Sequence, residues 1–208
     1  MPAPDRPTLL IATTNAGKFR EFAELLNEPS IALRSLADCP GAPEVSEDGA
    51  TYAANALHKA LTVAQWSQRT TLADDSGLEV DALGGAPGVR SARYAGGAQD
   101  SRANIAKLLE ALETVPPQQR TARFRCVLTV ARPDGATLTV EGCCEGRIND
   151  APRGSAGFGY DPIFLYPPLG KTFAEIPAAV KNRVSHRAAA WDRLRPELLA
   201  FLHTSRRL

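Results

Sequence analysis

Thr8-Leu9-Leu10-Ile11-Ala12-Thr13 is a continuous apolar run of strand type. Asn15-Ala16-Gly17 separates it from a helical period carrying Phe19, Phe22, Leu25 and Leu26. The chain therefore opens as strand, loop, helix. A second short strand at Ile31-Ala32-Leu33 leads into a Pro/Gly-rich stretch at 39–43, and the spacing predicts a helix from about 51 to 66. Thr70-Thr71-Leu72-Ala73 reads as the next strand, with Asp74 and Asp75 at its carboxyl end, followed by Ser76-Gly77 in turn chemistry. Beyond a Gly/Pro-rich segment at 84–97, Ile105, Leu108, Leu109 and Leu112 fall on one helical face. Segments 122–131 and 137–142 alternate and meet at Pro133-Asp134-Gly135, which predicts a hairpin. The last third holds a glycine-rich loop at 154–159, a short strand at 163–166 and a helix from about 187 to 202. Trp66 and Trp191 read as packing residues. No internal repeat interrupts the pattern, which is that of an α/β sheet with antiparallel additions.

Composition narrows the class. At 208 residues and 44% hydrophobic positions the chain suffices for one globular domain over 1–208, with 1–7 a flexible lead-in. Lys plus Arg number 24 against 23 Asp plus Glu, a net charge of +1. Such a balance creates no global field for nucleic acid or an anionic membrane, so an anionic ligand must be held by local cations. The longest apolar runs are far too short to span a bilayer, and the N-terminal residues lack the apolar core of a signal peptide, which makes the cytosol the default compartment. Cys39, Cys126, Cys143 and Cys144 form neither a Cys-x-x-Cys pair nor a secreted disulfide framework and are expected to be reduced. His58, His186 and His203 are scattered, so a metal, if one binds, is a hard ion on oxygen ligands.

Four segments can carry chemistry, each beside a plainer alternative. Thr13-Thr14-Asn15-Ala16-Gly17-Lys18 has the parts of an anion cradle at a helix start, or of an ordinary N-cap by Thr14 or Asn15. It lacks the spacing of a Walker loop. Asp74 and Asp75 form a carboxylate pair suited to a divalent cation or to activating water, or a solvated turn. Glu44, Glu47 and Asp48 precede a helix carrying Asn55 and Lys59 on one face; they cap the helix, or Glu47 is a metal ligand if the fold brings it to Asp74 and Asp75. Gly157-Phe158-Gly159-Tyr160-Asp161-Pro162 suits stacking on a nucleobase while reading its edge, unless Phe158 and Tyr160 are core anchors. Lys181 and Ser185-His186-Arg187 add cations and donors, with Ser185 as a plain N-cap and Arg187 in solvent the alternative.

In order along the chain, these segments resemble the inosine triphosphate pyrophosphatase family, also called the HAM1 type. The resemblance rests on 13–18, on Asn55-Ala56-Leu57-His58-Lys59-Ala60, and on Ala73-Asp74-Asp75-Ser76-Gly77-Leu78. It continues through Pro87-Gly88-Val89, Ser91-Ala92-Arg93-Tyr94, 157–164, Lys171-Thr172 with Ala174-Glu175, and Ser185-His186-Arg187. It implies an elongated, two-lobed α/β domain with a central mixed sheet flanked by helices, usually a homodimer. The implied reaction is magnesium-dependent hydrolysis of ITP, dITP and XTP to monophosphate and pyrophosphate by water attack at the α-phosphorus. On that resemblance Asp75 is the candidate general base and a magnesium ligand, with Glu47 as second ligand and Asp74 in support. Thr13, Thr14, Asn15, Ala16, Gly17, Lys18, Lys59 and Ser76 are expected to bind triphosphate. Phe158, Gly159, Tyr160, Asp161, Lys181, His186 and Arg187 are expected to form the base pocket. Many relatives carry Glu directly before the helix asparagine, where this chain has Ala54; Glu44, Glu47 or Asp48 can compensate for the missing carboxylate. The rival readings are a nucleotide- or RNA-binding module without hydrolysis, and a pyrophosphatase acting on other altered or pyrimidine triphosphates.

Overall fold

The structure, a computed structural model, describes residues 6–26, 28–97 and 100–203. Most of the expected lead-in at 1–7 lies outside the described residues. Strand β1 (Thr8–Ile11) is followed by α1 (Ala16–Leu26) and β2 (Ala32–Ser35). Leu9, Leu10 and Ile11 are all buried, as expected for a central strand covered on both faces. Helix α2 (Tyr52–Ser67) starts at Thr51, whose Oγ1 accepts from the Ala54 N–H at 3.1 Å. Then follow β3 (Thr71–Val80), α3 (Ser101–Ala111), β4 (Thr121–Ala131), β5 (Thr137–Ile148), β6 (Phe164–Tyr166), β7 (Lys171–Thr172), α4 (Ala178–Val184) and α5 (His186–His203).

Seven strands form one mixed sheet in the order β2-β1-β3-β4-β5-β6-β7. β1 is parallel to β2 and to β3, with Ile11 beside Leu72, whereas β6 is antiparallel to β5 and to β7. The chain divides into two compact units, one built from Met1–Asp75, Val127–Glu141 and Ala190–Leu208 and the other from Ser76–Cys126 and Gly142–Ala189. The first has a core of small and branched residues, Leu10, Ala12, Leu36, Ala60, Val63, Ala64, Ala73 and Ala131. Alanines on α2 let that helix approach the strands closely. The second core is aromatic: the Phe124 and Phe164 rings lie 4.5 Å apart and those of Phe164 and Phe173 4.8 Å, around Leu78, Leu108 and Ile163. Each such side chain contributes roughly 1.5–3 kcal/mol on burial.

Three expectations need correction, and one short helix lies outside the predicted elements. β3 does not stop at Ala73; it continues through Asp74, Asp75, Ser76 and Gly77 to Val80. Leu78 and Val80 are fully buried, and both carboxylates find partners, which outweighs the turn propensity of Asp-Asp-Ser-Gly. β5 runs six residues beyond 142, to Ile148. The seven-residue helix α4 carries no amphipathic period long enough to read from sequence. Trp191 is buried, but Trp66 is 41% exposed and does not pack as expected.

Candidate functional site

The residues singled out in the sequence form two side-chain clusters, one in each unit. In the first unit, Asn15 caps α1: its Oδ1 accepts from the Lys18 N–H at 3.0 Å, and the Asn15 N–H donates to Thr13 Oγ1 at 3.2 Å. The plainer reading of this loop thus holds for Asn15, while Thr14 and Ala16 are exposed and Gly17 is half-buried. The cap leaves other N–H groups of the first turn directed out of the helix start, where anions bind. Lys18 Nζ lies 3.0 Å from Asp74 Oδ1. Lys59, on α2, donates to the Asp74 carbonyl at 3.0 Å and is ion-paired with Glu47. One turn earlier, Asn55 Nδ2 donates to Asp75 Oδ2 at 2.9 Å.

Burial pushes the Asp75 carboxyl up from its ordinary 3.8 to about 6. The hydrogen bond from Asn55 opposes this, the Glu47 charge adds to it, and Lys18 and Lys59 oppose it. Burial presses the Lys59 ammonium down, but the charges of Asp74 and Glu47 outweigh that and hold it above its usual value.

Asp74, Asp75 and Glu47 were expected to share a metal. Among the described residues no three acids, histidines or cysteines form such a group. Asp74 and Asp75 are consecutive residues of β3, whose side chains point to opposite faces, and the Asp74 carboxylate meets Lys18. Asp75 and Glu47 are each a hard oxygen donor, and the Glu47 charge is felt at Asp75. A pair of carboxylates fits magnesium, which commonly takes one or two from a protein and completes its octahedron with water and phosphate. Ala54, Glu44 and Asp48 are exposed, whereas Glu47 is half-buried and paired with Lys59.

In the second unit, Asp161 Oδ2 accepts from the Phe158 N–H at 2.8 Å and from the Lys181 ammonium. Both members of that ion pair are buried. Gly157 has φ +74°, and a Cβ there would run into the Asp161 carboxylate, so this loop closes only on glycine. Gly159 also has a positive φ, +61°. The Lys181 Nζ lies 4.9 Å and the Arg187 guanidinium 5.3 Å from the Phe158 ring centroid. Arg187 Nη2 also donates to Ser76 Oγ at 2.7 Å. Ser185 Oγ accepts from the Ala188 N–H, an ordinary cap for α5, but Arg187 is buried instead of solvated.

Tyr160 and His186, both expected in the base pocket, are buried. The Tyr160 ring belongs to the hydrophobic core, its hydroxyl donates to the Ser91 carbonyl at 2.9 Å, and burial holds that hydroxyl far above its usual range. It is a core anchor, while Phe158 carries the half-buried ring of the pair. His186 is buried and stacked on Phe124 at 4.7 Å. Sequence reasoning passed over Gly157 and left Asn55 without a role; the signal for both was adjacency to a buried acid that only the fold supplies.

A model of the Ham1 family matches residues 9–197. The dITP/XTP pyrophosphatase of Geobacillus kaustophilus is 54% identical over 186 residues, covering 89% of this chain and 91% of that protein. The enzyme of the same description from Listeria monocytogenes is 51% identical over 191 residues, covering 92% and 94%. The solved Ham1 protein of Staphylococcus aureus superposes with a TM-score of 0.82 at 39% identity, and a HAM1 protein from Coxiella burnetii with 0.84 at 39%. Each match covers 93% of this chain and 99% of the other. The chain and its mixed sheet are thus those of an α/β pyrophosphatase. The chain belongs to the Ham1 family.

Proposed function

We propose that this enzyme hydrolyses dITP, ITP and XTP to the monophosphate and pyrophosphate, clearing deaminated purines from the nucleotide pool. The observation that carries this reading is the buried Asp75 carboxylate, bonded by Asn55 at 2.9 Å, with Lys18 and Lys59 held beside it by Asp74 and Glu47 in the same unit. The names borne by the relatives support the choice of substrates.

Pyrophosphate release requires water to attack the α-phosphorus. Asp75 takes the proton from that water. An ordinary aspartate is a poor base near neutrality, whereas one near 6 is ionised at pH 7 and closer to the working pH. Lys18 and Lys59 neutralise the β- and γ-phosphates, with Thr13, Asn15 and the first turn of α1 supplying donors. Asp74 orients Lys18 through their ion pair and Lys59 through its carbonyl. Asp75 and Glu47 would hold magnesium, which when bound lowers the pKa of water and offsets phosphate charge.

Phe158 offers a ring on which a base stacks, worth roughly 1–3 kcal/mol. Lys181 and Arg187, beside that ring, are donors suited to the 6-oxo group of hypoxanthine and xanthine. ATP presents an amino donor there, and two buried donors facing each other forfeit on the order of 1–3 kcal/mol. The family resemblance supports a cytoplasmic homodimer. Among the described residues no helix is long and apolar enough to cross a membrane, and a net charge of +1 argues against nucleic acid as partner.

The test is incubation of the purified protein with ITP, XTP, ATP and GTP, with magnesium or with chelator, and identification of the products. Pyrophosphate and monophosphate from ITP and XTP, only with magnesium, is the expected result. Orthophosphate release from every nucleotide, or no hydrolysis at all, overturns the reading.

A further inference from the structure

Helix α2 sends two side chains from one face, four residues apart, toward the same two pieces of chain. Lys59 joins Glu47 to the backbone of Asp74. Asn55, 2% exposed, makes the matching connection one turn earlier: its Oδ1 accepts from the Gly49 N–H at 2.7 Å and its Nδ2 donates to Asp75 Oδ2 at 2.9 Å. The partners determine which way the amide faces, since an N–H can only donate and a carboxylate accepts. Thr51 caps the helix one turn before Asn55, and the Asn55 N–H bonds the Thr51 carbonyl at 3.2 Å, so the asparagine stands on a fixed backbone.

Gly49 supplies an independent observation. A Cβ at this position would come within 2.5 Å of Asn55 Oδ1 and 3.1 Å of Ala54 Cβ. The demand for glycine here is spatial: a side chain would push the N–H off the Asn55 oxygen. The geometry points to Asn55 as a positioning residue for Asp75, whose amide ties the reacting carboxylate to the Gly49 backbone and so to the segment bearing Glu47. This inference rests on the role given to Asp75 above. Only an asparagine amide meets the requirement. Aspartate sets carboxylate against carboxylate, alanine leaves both partners to water, and glutamine is one methylene too long for a bridge already at contact distance.

The experiment compares wild type, Asn55→Asp, Asn55→Ala and Gly49→Ala in steady-state ITP hydrolysis with magnesium. Amide hydrogen exchange at Gly49 and thermal melting are followed in the same samples. Displacing a reacting group by a fraction of an ångström is expected to lower kcat by about tenfold to a hundredfold, with KM within about threefold of wild type. Gly49→Ala, which leaves Asn55 and Asp75 unchanged, should lower kcat in the same sense. Exchange at Gly49 should accelerate in Asn55→Ala. A purely structural asparagine would lower the melting temperature and leave kcat per folded molecule unchanged, and that result overturns the proposal. Wild-type Gly49 exchange rates in Asn55→Ala also overturn it, because the bridge would then be absent. If wild type fails to hydrolyse ITP, the proposed function has failed and takes the positioning role with it, whereas the exchange rates still judge the bridge.

Discussion

Replacing the buried acid Asp75 by asparagine should stabilise the protein while removing its activity. The unfolded chain carries an ordinary aspartate at 3.8, and burial raises the folded value to about 6. Between those values the folded state holds a proton that the unfolded state has released, so stability from this group falls as pH rises through the window and is flat above it. At about 1.4 kcal/mol per pH unit, the rise corresponds to about 3 kcal/mol against the folded state at pH 7. The amide introduced by Asp75→Asn would present a carbonyl to Asn55 Nδ2, so the hydrogen bond at 2.9 Å survives the change. For a chain of this size about 3 kcal/mol corresponds to a gain of roughly 6–12 °C in melting temperature. The assay is urea and thermal unfolding of wild type and Asp75→Asn in chelator, from pH 4 to pH 8. The difference should be largest above pH 6 and vanish toward pH 4, near the unfolded value. A variant less stable than wild type at pH 8, or an advantage independent of pH, would refute the claim that burial of this carboxylate is a net cost. Loss of turnover with a gain in stability is the usual mark of a group kept for chemistry.

Lys181→Met leaves the buried Asp161 carboxylate without this cation and should cost about 3–5 kcal/mol in urea unfolding, with Asp161→Asn added in the double variant restoring part of the loss. Equal stability of single and double variants would argue that the pair is not coupled. Gly157→Ala should strain the 157–161 loop, costing about 1–3 kcal/mol, and raise KM for ITP at least about tenfold with kcat little changed, as expected where a base is held and not where it reacts.

The parts of the fold governed by local pattern were legible in the chain. The apolar run of β1, the period of α1, α2 within about a residue at each end, and the ribbon of β4 and β5 follow from alternation, capping and the Pro133-Asp134-Gly135 turn. What escaped was decided by distant partners. Asp-Asp-Ser-Gly reads as a turn because its burial and its lysine and asparagine contacts come from α1 and α2. Tyr160 and Phe158 are indistinguishable by type, and only the position of Ser91 and the aromatic core sorts one inward and leaves the other half-buried. The acids were found, but which lysine each would meet was not. An i,i+4 relation on α2 states that Asn55 and Lys59 share a face without stating what faces them.

The division of the chain into units that are each discontinuous in sequence has a consequence for synthesis. The first unit draws on residues before 76, on 127–141 and on α5 from 190 onward, while the second occupies the two intervals between. The second can be complete on the ribosome before the first, since the last contribution to the first unit emerges after every residue of the second. At about 5–20 residues per second, the opening β1–α1–β2–α2 segment waits on the order of ten seconds for its closing helix. The first unit therefore closes late and through contacts of long sequence separation, and neither unit can be excised as a contiguous fragment.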